Sequence, residues 1–128
     1  YIDFNHLEIP NVKNANNLNS SQLKEREGDM IYKYLLKGDY IILLDENGKS
    51  YSSIEFSKKI ENFMINSFKR IVFIIGGAYG FSDKVYSIAD EKVSLSKMTF
   101  NHQMIRVFFY EQLYRAFTII KNEKYHNQ

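Results

Sequence analysis

Apolar residues along the chain change their spacing from segment to segment, and each change marks an element. Residues 1–9 alternate loosely, with Ile2, Phe4, Leu7 and Ile9, and read as a strand ended by Pro10. Residues 11–20 are polar and Asn-rich and read as a loop. From Ser21 to Leu36, the apolar positions Leu23, Met30, Ile31, Tyr34 and Leu35 form a helical stripe, which Lys37-Gly38-Asp39 stops. Gly28 lies inside that stripe and costs a helix about 1 kcal/mol against alanine, so it calls for a packing reason.

Beyond this helix the pattern becomes that of a buried sheet. Residues 40–44 (YIILL) and 71–75 (IVFII) are short continuous apolar runs, as expected of strands covered on both faces. Between them, residues 45–50 read as a turn-rich loop. Ser52-x-x-Glu55 is a capping box opening a helix that carries Ile54, Ile60, Phe63 and Met64 inward. A short helix over residues 82–89 and a short strand over residues 92–95 follow. The last helix, residues 101–121, has apolar positions at Met104, Ile105, Phe108, Phe109, Leu113, Ala116, Phe117 and Ile120. That stripe is wide enough to face both the sheet and, through Tyr110 and Tyr114, a second subunit. Strands alternating with helices predict an α/β fold, a parallel sheet with helices on both faces.

Composition narrows the function classes. A chain of 128 residues suits a single domain, here residues 1–128. No apolar run approaches the roughly 20 residues that span a bilayer. Cysteine is absent, and three scattered histidines make no metal-ligand spacing, so no metal is expected. The expected location is cytoplasmic. Net charge is only +2, so no whole-chain attraction to nucleic acid stands out. Lys97, Arg106, Arg115, Lys121 and Lys124 nonetheless outnumber Glu111 and Glu123 after Ser96, and they could hold phosphates or simply line a solvated helix face.

Two loops are candidates for chemistry. Gly76, Gly77 and Gly80 follow the second apolar strand and fit close backbone approach to a ligand or a tight strand-to-helix turn. Their spacing is neither the dinucleotide fingerprint nor a phosphate-binding P-loop. The second loop, Leu95-Ser96-Lys97-Met98-Thr99-Phe100, offers backbone groups and apolar side chains of the kind that recognise a purine.

The order of these motifs resembles the SPOUT methyltransferases, specifically the family that methylates N3 of a pseudouridine in large-subunit ribosomal RNA. The residues carrying the resemblance are Gly76-Gly77-x-x-Gly80-Phe81-Ser82, then Ser94-Leu95-Ser96-x-Met98-Thr99-x-x-His102. They continue with Arg106-Val107-x-x-x-Glu111-Gln112-Leu113-Tyr114-Arg115-Ala116 and end at Tyr125-His126. The resemblance is densest from Val72 to His126. It departs from the family at Ala78-Tyr79, where many members have Pro-Glu, and at Asn127, where Arg is common.

The resemblance implies a C-terminal trefoil knot, a homodimer and S-adenosylmethionine as cofactor. It implies a cofactor wall of Leu44, Gly76, Leu95, Ser96, Lys97, Met98, Thr99 and Phe100. It gives catalytic or substrate-holding roles to Arg115, Tyr125 and His126, with the His126 imidazole a candidate general base for the imide proton. The substrate it implies is helix 69 of 23S rRNA, presented by the ribosome. It also implies a further strand and helix ahead of Tyr1. Two rivals remain at this level: a non-catalytic RNA- or ribosome-binding relative, and a different nucleotide-binding α/β domain.

Overall fold

The computed structural model describes residues 4–66 and 68–127. Helix α1 (Ser20–Tyr32) opens on a capping box in which Asn19 accepts the Gln22 backbone N–H at 2.8 Å and Gln22 accepts from Asn19 at 3.1 Å. Strand β1 (Asp39–Ser50) follows, then α2 (Ser53–Ile65), β2 (Arg70–Ile75), α3 (Asp83–Ile88), β3 (Glu91–Ser94) and α4 (His102–Ile120). The Ser52–Glu55 capping box forms as its spacing predicts.

All strand pairs are parallel, in the order β2-β1-β3. β1 is central, and its alternating side chains divide the core in two. Ile42 and Leu44 point to a cluster with Phe56, Ile60, Val93, Phe109, Leu113 and Ala116, beneath α2 and α4. Ile41 and Leu43 point the other way, to Ile31, Ile74, Phe81 and Val85 beneath α1 and α3. Helices thus cover both faces. The crossover through α2 runs from β1 outward to β2, and that through α3 runs back past β1 to β3. Because these steps go in opposite directions, a common handedness requires their helices to lie on opposite faces, as they do.

Gly28 has its packing reason. A Cβ there would stand 2.9 Å from Ser82 Oγ and 3.1 Å from a Val85 methyl, so the glycine lets α1 press against the start of α3. Gly28→Ala should therefore lower the melting temperature in a thermal unfolding scan, although helix propensity alone would favour alanine by about 1 kcal/mol.

Four expectations need correction. The strand expected over residues 1–9 is not formed by residues 4–9, and residues 1–3 lie outside the described chain. Instead this segment lies on α4: Phe4 meets Tyr110 edge-on at 5.7 Å, His6 hydrogen-bonds the Tyr110 hydroxyl, and Glu8 pairs with Arg106 at 2.8 Å. Its loose alternation lacks the strict period that would seat it in a sheet. Helix α1 ends at Tyr32, four residues earlier than expected.

Residues 45–50 belong to β1 rather than to a loop. Leu44 and Lys49 both register with Val93, so residues 45–48 make an excursion within one strand. Gly48 permits the return, since a Cβ there would lie 2.6 Å from the Lys92 carbonyl carbon. Met64, expected inward, is exposed; the α2 face that packs is Phe56, Ser57 and Ile60.

Candidate functional site

In a parallel sheet every strand ends on the same edge, where ligands of open α/β sheets bind. Leu44 registers with Ile75 on one side and with Val93 on the other. Gly76 follows the first of these partners directly, and Leu95 lies two residues beyond the second. The sheet thereby brings together the three positions that the sequence singles out, although β1 itself runs on from Leu44 to Ser50. Their side chains are not equally available. Leu44 is buried in the core beneath α2 and α4. Gly76 is pressed against Phe81, whose ring would stand 3.0 Å from an added Cβ.

The loop after β3 is shaped by its own hydroxyls. Ser94 donates to the Ser96 carbonyl at 2.8 Å, and the Met98 N–H donates to Ser96 Oγ at 3.0 Å. Thr99 donates to the Glu46 carboxylate at 2.6 Å, tying this loop to the β1 excursion. Lys97, Met98, Thr99 and Phe100 are exposed, Met98 by 72%. Leu95, Ser96 and Phe100 line a hollow of about 440 Å³ together with Tyr51, Ser52, Ser53, Phe56, Val93, Ser94, Phe108, Glu111 and Gln112. Aromatic walls with a few hydroxyl and carboxylate groups suit a nucleoside-sized ligand. Leu44, Gly76, Lys97, Met98 and Thr99 do not line this hollow.

The three catalytic candidates meet at the far end of α4. Arg115 donates to both oxygens of Glu111, at 3.2 and 2.9 Å, one helical turn apart. Tyr125 donates to Glu111 at 2.8 Å, and its ring carries the Arg115 guanidinium 4.8 Å from its centre. His126 Nδ1 lies 3.0 Å from an Arg115 terminal nitrogen. A guanidinium only donates, so Nδ1 accepts, and the proton of the neutral ring sits on Nε2.

Glu111, which the sequence offered only as an acidic residue among the basic ones of the last helix, is the hub of this cluster. Its i, i+4 spacing to Arg115 was the available signal; the convergence of Tyr125 on it was not readable. The Arg115 hydrogen bonds, with that of Tyr125, hold the Glu111 carboxyl below its usual range against the opposing effect of burial. The same contact raises Arg115. Tyr125 is raised chiefly by its hydrogen bond to Glu111, so it stays a phenol that donates. Glu111 and Gln112 also line the hollow, and Gln112 accepts from Ser53 at 2.8 Å, fixing α4 to the start of α2. The cluster is therefore continuous with the hollow through Glu111.

Among the described residues no group of histidine and carboxylate side chains could hold a metal ion, and no helix is long and apolar enough to cross a membrane.

The family model described as "Predicted SPOUT methyltransferase" matches residues 1–126, and the chain belongs to that family of methyl-transferring enzymes. Over all 128 residues it is 55% identical to the ribosomal RNA large subunit methyltransferase H of Parabacteroides distasonis. It is 56% identical to the protein of that name from Phocaeicola vulgatus and 55% identical to that from Flavobacterium johnsoniae. In each case the whole chain aligns with 82% of the relative.

Proposed function

We propose that this chain methylates large-subunit ribosomal RNA, with S-adenosylmethionine as methyl donor and N3 of a pseudouridine in helix 69 of 23S rRNA as acceptor. The observation that carries this reading is identity above 50%, along the full chain, to proteins named ribosomal RNA large subunit methyltransferase H; the acceptor base and the helix are inferred from the resemblance of the motifs. The alternative of a binding-only relative is disfavoured by the organised Glu111–Arg115–Tyr125–His126 cluster, which a mere RNA-binding surface does not require.

The residues present fit the donor. The hollow, at about 440 Å³, has room for its adenosine and offers Phe100, Leu95 and Tyr51 as apolar walls, with serine hydroxyls among the lining groups. Of the expected cofactor wall, Leu95, Ser96 and Phe100 line the hollow and would hold the donor, whereas Leu44, Gly76, Lys97, Met98 and Thr99 lie outside that lining. When bound, the donor supplies a methyl group already activated on a sulfonium. The protein is left to orient the acceptor and accept or disperse the imide proton. In this reading Arg115 would hold an anionic oxygen of the RNA or shape the site, and Tyr125 would stack on or hydrogen-bond the base. His126 can serve as the general base only if its Nδ1 leaves Arg115, because that lone pair is engaged.

Dimer formation belongs to the same proposal. Met104, Val107 and Tyr114 are exposed on α4 by 42, 59 and 57%, at the 3- and 7-residue spacings of one helix face. Tyr110 is instead covered by Phe4 and His6 of the same chain. The knot expected of the family, a cytoplasmic location and presentation of the RNA by the assembled ribosome complete the reading.

Calorimetric titration tests it. S-adenosylmethionine should bind saturably and ATP should not; preferential ATP binding would support the nucleotide-binding rival. Gly76→Val is a poor blocking variant here, since the contact with Phe81 makes it a test of folding as much as of binding.

A further inference from the structure

Glu27 is a carboxylate that neither the fold nor the catalytic cluster uses. It projects from α1 onto the glycine loop, where its oxygens lie 2.6 and 2.9 Å from the position a Cβ would take on Gly77. Glycine at 77 therefore makes room for this carboxylate; any side chain there would displace it. Gly28, the next residue along α1, lets the helix approach closely enough to place it.

Glu27 is partly buried, and no described residue hydrogen-bonds or ion-pairs with it. The other carboxylates near the strand ends are engaged. Asp45 accepts from the Tyr86 hydroxyl, Glu46 from Thr99, and Glu111 from Arg115 and Tyr125. Burial pushes the Glu27 carboxyl up, and His102 at the start of α4 draws it partly back. A partly buried carboxylate that makes no hydrogen bond and interacts only electrostatically, with His102, is open to a cationic ligand. Its carboxylate lies over the glycine loop at Gly77, and His102, two residues after Phe100, is near enough to act on it electrostatically.

We propose that Glu27 is the counter-charge for the positive end of the methyl donor. S-adenosylmethionine carries two cationic centres, the sulfonium and the α-ammonium, and a carboxylate over Gly77 would pair with one of them. This inference rests on the donor assignment above.

The test is calorimetry on wild type and Glu27→Gln with S-adenosylmethionine and with S-adenosylhomocysteine, which keeps the ammonium and lacks the sulfonium charge. Removing one charge-assisted contact should weaken S-adenosylmethionine binding by about tenfold or more. A loss confined to S-adenosylmethionine places Glu27 at the sulfonium; a loss for both compounds places it at the ammonium. Unchanged affinity for both overturns the proposal. So does a fall in melting temperature at neutral pH, which would make Glu27 structural: a carboxyl raised by burial opposes folding when ionised, so Glu27→Gln should melt no lower than wild type. If wild type binds neither compound, the donor assignment itself fails and this inference falls with it.

Discussion

Replacing Glu111 with alanine should cut methyl transfer about ten- to a hundredfold. Glu111 receives two hydrogen bonds from Arg115 and one from Tyr125, and Arg115 in turn holds His126 Nδ1. Without the carboxylate, the guanidinium loses its bidentate partner and the phenol loses its acceptor. Three groups then lose their common orientation at once, which is why the effect should exceed that of a single exposed ion pair. Glu111 acts through its neighbours, so it is a positioning residue, and the loss should fall on kcat more than on KM. Glu111→Gln keeps an acceptor for Tyr125 and should recover part of the rate. His126→Ala supplies the contrast. If it turns over normally while Glu111→Ala is impaired, the cluster serves to hold RNA and the imidazole is not the base. Equal activity of Glu111→Ala and wild type on the same ribosomal substrate would remove the cluster from the catalytic reading altogether.

The second large effect concerns stability. Leu43→Ala should destabilise the chain by about 2–5 kcal/mol in urea unfolding. Leu43 is fully buried in the central strand, between β2 and β3, and packs beneath α1 and α3 with Ile31, Ile74 and Val85. The cavity would open where two helices and three strands meet, so no single side chain can relax into it. The urea dependence of the free energy should keep its slope, because the surface exposed on unfolding hardly changes. A loss below about 1 kcal/mol would mean that this face of the sheet repacks freely. Leu36, exposed by 63% at the end of the helix stripe expected from sequence, is the control: Leu36→Ala should change stability by less than about 0.5 kcal/mol.

The elements whose signals are local were legible. The runs YIILL and IVFII are strands because a doubly covered parallel strand needs continuous apolar sequence, and no other element of that length does. The Ser52–Glu55 box starts α2 where its side chains reach its own backbone. What failed depended on partners distant in sequence. Residues 45–50 look like a turn, yet they stay in β1 because Val93 pairs with both Leu44 and Lys49 and Gly48 clears the Lys92 backbone. Residues 4–9 look like a strand, yet their aromatic and charged side chains find partners on α4.

For the site the division is similar. The sequence by itself determined an α/β parallel sheet, the loops that follow its strands, and the family to which the motifs point, because spacing along the chain encodes all three. It did not determine which candidates touch. Only the tertiary structure decided that Arg115, Tyr125 and His126 converge on Glu111, that Gly76 is held by Phe81, and that Glu27 reaches across to Gly77. Those contacts depend on how closely helices approach one another and the sheet. That distance is set by small residues such as Gly28 and by packing across both faces, which no local period records.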